Sequence, residues 1–142
     1  MGFVFDTSEH GLRTIMKGYQ AICMRFLWEK GEKGVSTSEA WLQVNKILIE
    51  EEKTISRTSI IYFLNNMSEK GFLRYISKSG RGGYHSIYYP VYDEAEFKEF
   101  IARQIIEKLL EAFPDETDKA LLKIKNEGAG QAEAQGHPGP QP

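Results

Sequence analysis

The sequence predicts a mostly α-helical chain carrying one short β-hairpin, and three observations lead there. Apolar residues recur at helical spacing in successive segments between residues 12 and 71, each bounded by a glycine or a hydroxyl cap. An alternating run over 72–77 and a β-rich run over 84–91 flank a glycine-rich turn. A long amphipathic segment then runs from residue 93 to Phe113, where Pro114 interrupts it. Helix, helix, capped helix and hairpin, in that order, is a winged helix-turn-helix arrangement with C-terminal helices added.

Each element has a local reason. Residues 1–11 form an arm in which Phe3-Val4-Phe5 fits an edge strand and an irregular segment equally well. Over 12–30, Ile15, Tyr19, Ile22, Cys23, Phe26 and Leu27 share a helical face, and Gly31 supplies the stop. Gly34 closes the connection, and Ser36 with Glu39 makes a capping box for a second helix. Its inward stripe is Ala40, Trp41, Val44, Ile47 and Leu48, and Glu50-Glu51-Glu52 opposes the helix dipole, which predicts fraying. Ser56 caps a third helix with Ile60, Phe63, Leu64 and Met67 inside, ended by Gly71.

The hairpin is expected to be strand over 72–77, turn over 78–83 and strand over 84–91, with Pro90 confined to a strand end or an edge. Residues 93–113 place Phe97, Phe100, Ile101, Ile105, Ile106, Leu109, Leu110 and Phe113 on a face broader than a surface helix needs. After Pro114, residues 115–126 fit one short helix ended by Gly128, and the Gly, Ala, Gln and Pro-rich remainder predicts a disordered tail over 128–142.

Composition narrows the function classes. A chain of 142 residues, 41% hydrophobic and 27% charged, has material for one core and not for two large domains. Its one cysteine, Cys23, lies in an apolar run, which leaves no intrachain disulfide, no Cys-rich metal site and a thiol better suited to packing than to redox sensing. The three histidines, His10, His85 and His137, lack ligand spacing, so no metal and no cofactor is expected. The glycines at 80, 82 and 83 join two strands with no Gly-Lys-Ser/Thr after them, unlike a nucleotide-binding loop. No catalytic constellation is visible, and an enzyme is not expected. No apolar stretch reaches the roughly 18–20 residues that span a bilayer, and no basic-then-apolar leader opens the chain, so a cytoplasmic setting is expected and a membrane is not.

Charge is segregated along the chain. Residues 53–85 hold six basic residues and one acidic, whereas 1–52 hold six and eight and 86–142 hold six and eleven. A cationic helix and hairpin between acidic flanks is the sequence form of a polyanion-binding face.

The run Ser56, Ser59-Ile60, Phe63-Leu64, Met67 and Lys70-Gly71-Phe72-Leu73, with a hairpin closing in Tyr88-Tyr89-Pro90-Val91, resembles the penicillinase-repressor family of winged helix-turn-helix transcriptional regulators. Phe26-Leu27-Trp28 and Val35-Ser36 through Ala40-Trp41 to Val44-Asn45 are similar to its first two helices, so the resemblance spans roughly residues 15–113. It implies a homodimer on double-stranded operator DNA, with the third helix in the major groove and C-terminal helices forming the dimer contact. Carried over by position, Arg57, Thr58, Ile61, Tyr62 and Asn65 face the groove, Ser59 is expected to contact DNA with them, and Lys78 and Arg81 of the wing are expected on the backbone or minor groove. Phe97, Phe100, Ile101, Ile105, Leu109 and Phe113 fall on the dimer side.

Pattern and resemblance together divide the chain into an arm over 1–11, a DNA-binding domain over 12–92, a dimerisation segment over 93–127 and the tail. No Asn-Phe pair of the kind cleaved in β-lactam-responsive members is present, nor the Cys-rich motif of copper-responsive ones, so the inducer stays open. Blander readings fit the same residues: Arg57 as a solvated neighbour of a cap, Ile61 and Tyr62 packed on the wing, and the long helix folded onto its own domain. At the level of function, a winged-helix adaptor for protein partners is the competing class.

Overall fold

The first core helix starts later than its apolar spacing predicts. In the computed structural model, which describes residues 4–80 and 83–136, Leu12 lies in a 3-10 turn, Gly11–Thr14, and α1 spans Gly18–Lys30. The spacing is real on both sides of the break, since Leu12, Ile15 and Met16 are buried, as are Ala21, Cys23, Met24 and Leu27. Extended Lys17 separates the two, and the Gln20 side chain accepts its N–H at 3.0 Å.

Strand β1 (Val35–Ser36) leads directly into α2 (Thr37–Leu48). The capping box forms as expected: Ser36 Oγ accepts from the Glu39 N–H at 3.1 Å, and Glu39 Oε1 accepts from the Ser36 N–H at 3.1 Å. The acidic end of α2 tightens into a 3-10 turn, Ile49–Glu51, closed by Glu52 at φ 60. Helix α3 spans Arg57–Glu69 and buries Ile60, Phe63, Leu64 and Met67. Its end is a Schellman motif: Phe72 N–H donates to the Met67 carbonyl at 3.0 Å and Gly71 N–H to the Ser68 carbonyl at 3.0 Å, with Gly71 at φ 85.

Strands β2 (Leu73–Gly80) and β3 (Gly83–Pro90) pair antiparallel from Leu73↔Pro90 to Gly80↔Gly83. The turn expected over 78–83 is therefore shorter, because Lys78, Ser79 and Gly80 are laddered to His85, Tyr84 and Gly83. Arg81 and Gly82 lie outside the described residues. The short β1 adds a third strand to the sheet through Val35↔Tyr88 and Ser36↔Ile87, giving the order β1-β3-β2. Gly34 permits that approach. At φ 72 and ψ 168 it occupies a glycine region, and a Cβ there would stand 2.6 Å from both Ile87 Cγ2 and Tyr89 Cε1.

The chain divides into two compact units, Met1–Phe97 and Lys98–Pro142. Helix α4 (Glu94–Ala112) begins in the first. Asp93 and Glu96 cap it reciprocally at 2.8 and 3.0 Å, and Phe97, 1% exposed, packs 5.4 Å from the Trp28 ring and 5.0 Å from Phe72. Phe97 thus belongs to the core of the winged-helix unit, which corrects its expected place in a dimer contact: no surface is left to share.

Within the second unit, Pro114 opens α5 (Pro114–Gly136), and Thr117 Oγ1 donates to the Leu109 carbonyl at 3.0 Å across the break. Helix α5 runs through Gly128, correcting the expected stop and the tail expected to begin there; Gly128 is not among the positive-φ glycines, and the alanine-rich sequence after it favours helix. Residues 137–142 lie outside the described ones.

Candidate nucleic-acid interface

Two side-chain anchors set where α3 begins. Asn45 Nδ2 donates to the Ile55 carbonyl at 3.1 Å while its Oδ1 accepts the Ile55 N–H at 2.8 Å, and Trp41 Nε1 donates to the same carbonyl at 3.0 Å. The residue before the cap is therefore held by α2 on both of its backbone groups, which leaves little freedom in the angle at which α3 departs. Ser56 then caps the helix, its Oγ accepting from the Ser59 N–H at 3.1 Å and donating to Ser59 Oγ at 2.9 Å. Ser59 is accordingly a half-buried partner of the cap, set back from the residues beside it.

At about 100° per residue, a helix that buries Ile60, Phe63, Leu64 and Met67 turns positions 57, 58, 61, 62 and 65 outward. Arg57, Thr58, Ile61, Tyr62 and Asn65 are all exposed, Tyr62 at 74%. A shallow groove brings three elements to this face. It is lined by Arg57, Ile61 and Asn65 of α3, by residues 36–39 at the start of α2, and by residues 85–88 of β3. The first turn of α2 offers backbone N–H groups and hydroxyls, the chemistry that phosphate oxygens accept. Glu39 is the acidic residue in the lining, and its carboxylate is turned back onto the Ser36 N–H.

On the wing, Lys78 faces His85 across the ladder, and both are exposed. Arg74 lies 4.3 Å above the Tyr89 ring, so this cation is held against the sheet. Arg81, the expected wing-tip residue, lies outside the described residues. Tyr88 had no assigned role, yet its buried ring sends the hydroxyl to Asn65 Oδ1 at 2.7 Å. Burial pushes this phenol above its usual pKa, against the opposing influence of the Ser86 and Thr37 hydroxyls. Neither Tyr88 nor the start of α2 was singled out from sequence, although the capping box at Ser36 marks where free N–H groups must lie.

Elsewhere, Cys23 is fully buried and its thiol is pushed up to about 12 by desolvation, which keeps it a packing group rather than a nucleophile. Among the described residues no group of three or more His, Cys, Asp or Glu side chains is placed to hold a metal ion, and no helix is long and apolar enough to cross a membrane.

Residues 19–131 match the model of the penicillinase repressor family. The chain belongs to that family. Its members are transcriptional regulators, and the winged-helix architecture described above is the fold expected of one. The chain is also similar to a solved structure from Thermoplasma acidophilum, provisionally described as a transcriptional regulator, at 22% identity and a TM-score of 0.42 over 66% of this chain and 92% of that one. Among curated proteins, none matches this family member.

Proposed function

We propose that this regulator is a sequence-specific DNA-binding protein of the cytoplasm that represses as a homodimer. In this reading α3 enters the major groove, where Arg57, Thr58, Ile61, Tyr62 and Asn65 meet base edges and sugars, with Ser59 setting the first turn. Lys78 and Arg81 of the wing meet the backbone or the minor groove. The observation that carries the proposal is the convergence of the exposed face of α3, the start of α2 and β3 on one groove. A docked duplex needs several phosphate contacts around one inserted helix, and a lone solvated helix face would not supply them.

The second unit supports the dimer. Leu109 and Phe113 of the expected dimer set are exposed, as are Ile106, Leu121, Leu122 and Ile124. Phe100 and Ile105 are half-buried and Ile101 is buried, so the contact is centred toward the end of α4 rather than its start. Apolar area of this kind is a liability in a monomer and an asset between two copies.

Titrating labelled genomic fragments at two salt concentrations tests the proposal. A steep fall of affinity with salt, together with selection of particular fragments near promoters, is expected. Salt-dependent binding without selection points to an architectural role. No binding at low salt overturns the DNA reading in favour of an adaptor for protein partners.

A further inference from the structure

Tyr88 is 3% exposed, yet its hydroxyl reaches the solvated side of α3 and donates to Asn65 Oδ1 at 2.7 Å. Ser86 and Thr37 line the same groove as Tyr88 and Asn65. One buried phenol therefore ties β3 to α3.

The consequence for Asn65 follows from amide geometry. Drawing the carbonyl end of a planar amide toward a buried group turns its NH2 end away from that group. Asn65 is exposed, and Nδ2 has no partner among the described residues. The usual asparagine match to adenine, through N6 and N7, needs the carbonyl and the NH2 side by side and both turned toward the base. Here Tyr88 takes one of the carbonyl's two lone pairs and draws the oxygen toward the buried side, so the donor half is what the groove meets. Guanine is the base whose major-groove edge presents two acceptors, O6 and N7, and no donor.

The geometry points to Tyr88 as a positioning residue that presents Asn65 to the major groove as a hydrogen-bond donor, matched to guanine rather than adenine. This rests on the DNA-binding reading above and adds the identity of one base. It also gives a buried wing residue an effect on sequence preference without contact to the duplex.

The test uses the full chain and its best selected duplex, with all four base pairs placed in turn at each position of one half-site. Wild type is expected to prefer guanine at one position. Asn65→Ala abolishes that preference, and 7-deazaguanine there lowers affinity roughly 3- to 10-fold, the scale of one hydrogen bond. Tyr88→Phe, which keeps the ring, is expected to flatten the preference at that position alone and to add nothing on top of Asn65→Ala. Asn65→Asp, an exposed change that replaces the donor by an acceptor, should turn the preference away from guanine even if Tyr88→Phe fails to fold.

An adenine preference at the Asn65-dependent position, or a Tyr88→Phe loss spread evenly over all positions, overturns the inference. A wild-type chain that selects no sequence sinks the sequence-specific reading instead, and that is known before any variant is made.

Discussion

Helix α3 and the pair α4–α5 expose surfaces of opposite kinds. The outward side of α3 carries Arg57, Thr58 and Asn65 with Tyr62 among them, whereas α4 and α5 expose Ile106, Leu109, Phe113, Leu121, Leu122 and Ile124. A polar, cationic face is comfortable in water until a polyanion exchanges its counterions for protein charge. An apolar face is not, and its natural cover is another protein surface. Periodicity alone says which side of a helix is inside; the chemistry of the remaining side says what kind of partner it suits.

A third site is set by packing and is intolerant of a larger residue. Gly34 sits where β1 meets β3, and Gly34→Ala would force a methyl group into Ile87 and Tyr89 while holding φ at 72. Combining overpacking with a glycine-only backbone angle, the expected loss of stability is about 3–5 kcal/mol, measured by urea denaturation. A loss under about 1 kcal/mol would mean that β1 does not pair as described.

The apolar side of the comparison is broken next. Replacing Leu109 and Phe113 by aspartate should weaken self-association by about 2–4 kcal/mol in sedimentation equilibrium, since both lie exposed near the end of α4. The far-UV circular dichroism should hardly change, because neither side chain is in a core. An unaltered dimer would move the interface elsewhere.

On the polar side, Arg57→Ala should cost about 1–3 kcal/mol, concentrated at one operator position, if its guanidinium pairs with a base edge. Lys78→Ala should weaken all duplexes alike and lower the salt slope by about one. Equal, sequence-independent losses for the two changes would erase the distinction between helix and wing.

How much of this was legible in the sequence depends on the reach of the interaction. Ser36 with Glu39, Ser56, Gly71 and Pro114 act within a few residues of themselves, and each caps or breaks a helix where local chemistry puts it. Strand β1 is only Val35–Ser36, too short to show alternation, and it exists because Tyr88 and Ile87 pair with it from far along the chain. The break before α1 is hidden because buried residues lie on both sides of it, Leu12, Ile15 and Met16 before Lys17 and Ala21, Cys23 and Met24 after it. The ladder through Lys78, Ser79 and Gly80 was read as turn from residues of low strand propensity, which the opposite strand overrides. In the candidate site, the outward residues of α3 follow from its period. The bond from Tyr88 to Asn65 spans 23 residues and has no local signature; in Tyr88-Tyr89, nothing local says which ring turns inward.

Gly128 sharpens the comparison with the smallest effect and a change of sign. Read from sequence, it ends a helix, a position that favours a positive φ and where alanine is penalised by about 1 kcal/mol. In the structure α5 passes through it, its φ is not positive, and a Cβ built there meets nothing within 4 Å. Alanine in an exposed helix interior is worth about 1 kcal/mol over glycine, partly because it also restricts the unfolded chain. Gly128→Ala should therefore raise the helical signal and the melting temperature slightly, the opposite of Gly34→Ala. A lowered melting temperature would return Gly128 to the role of a stop and shorten α5 to the length its apolar spacing supports.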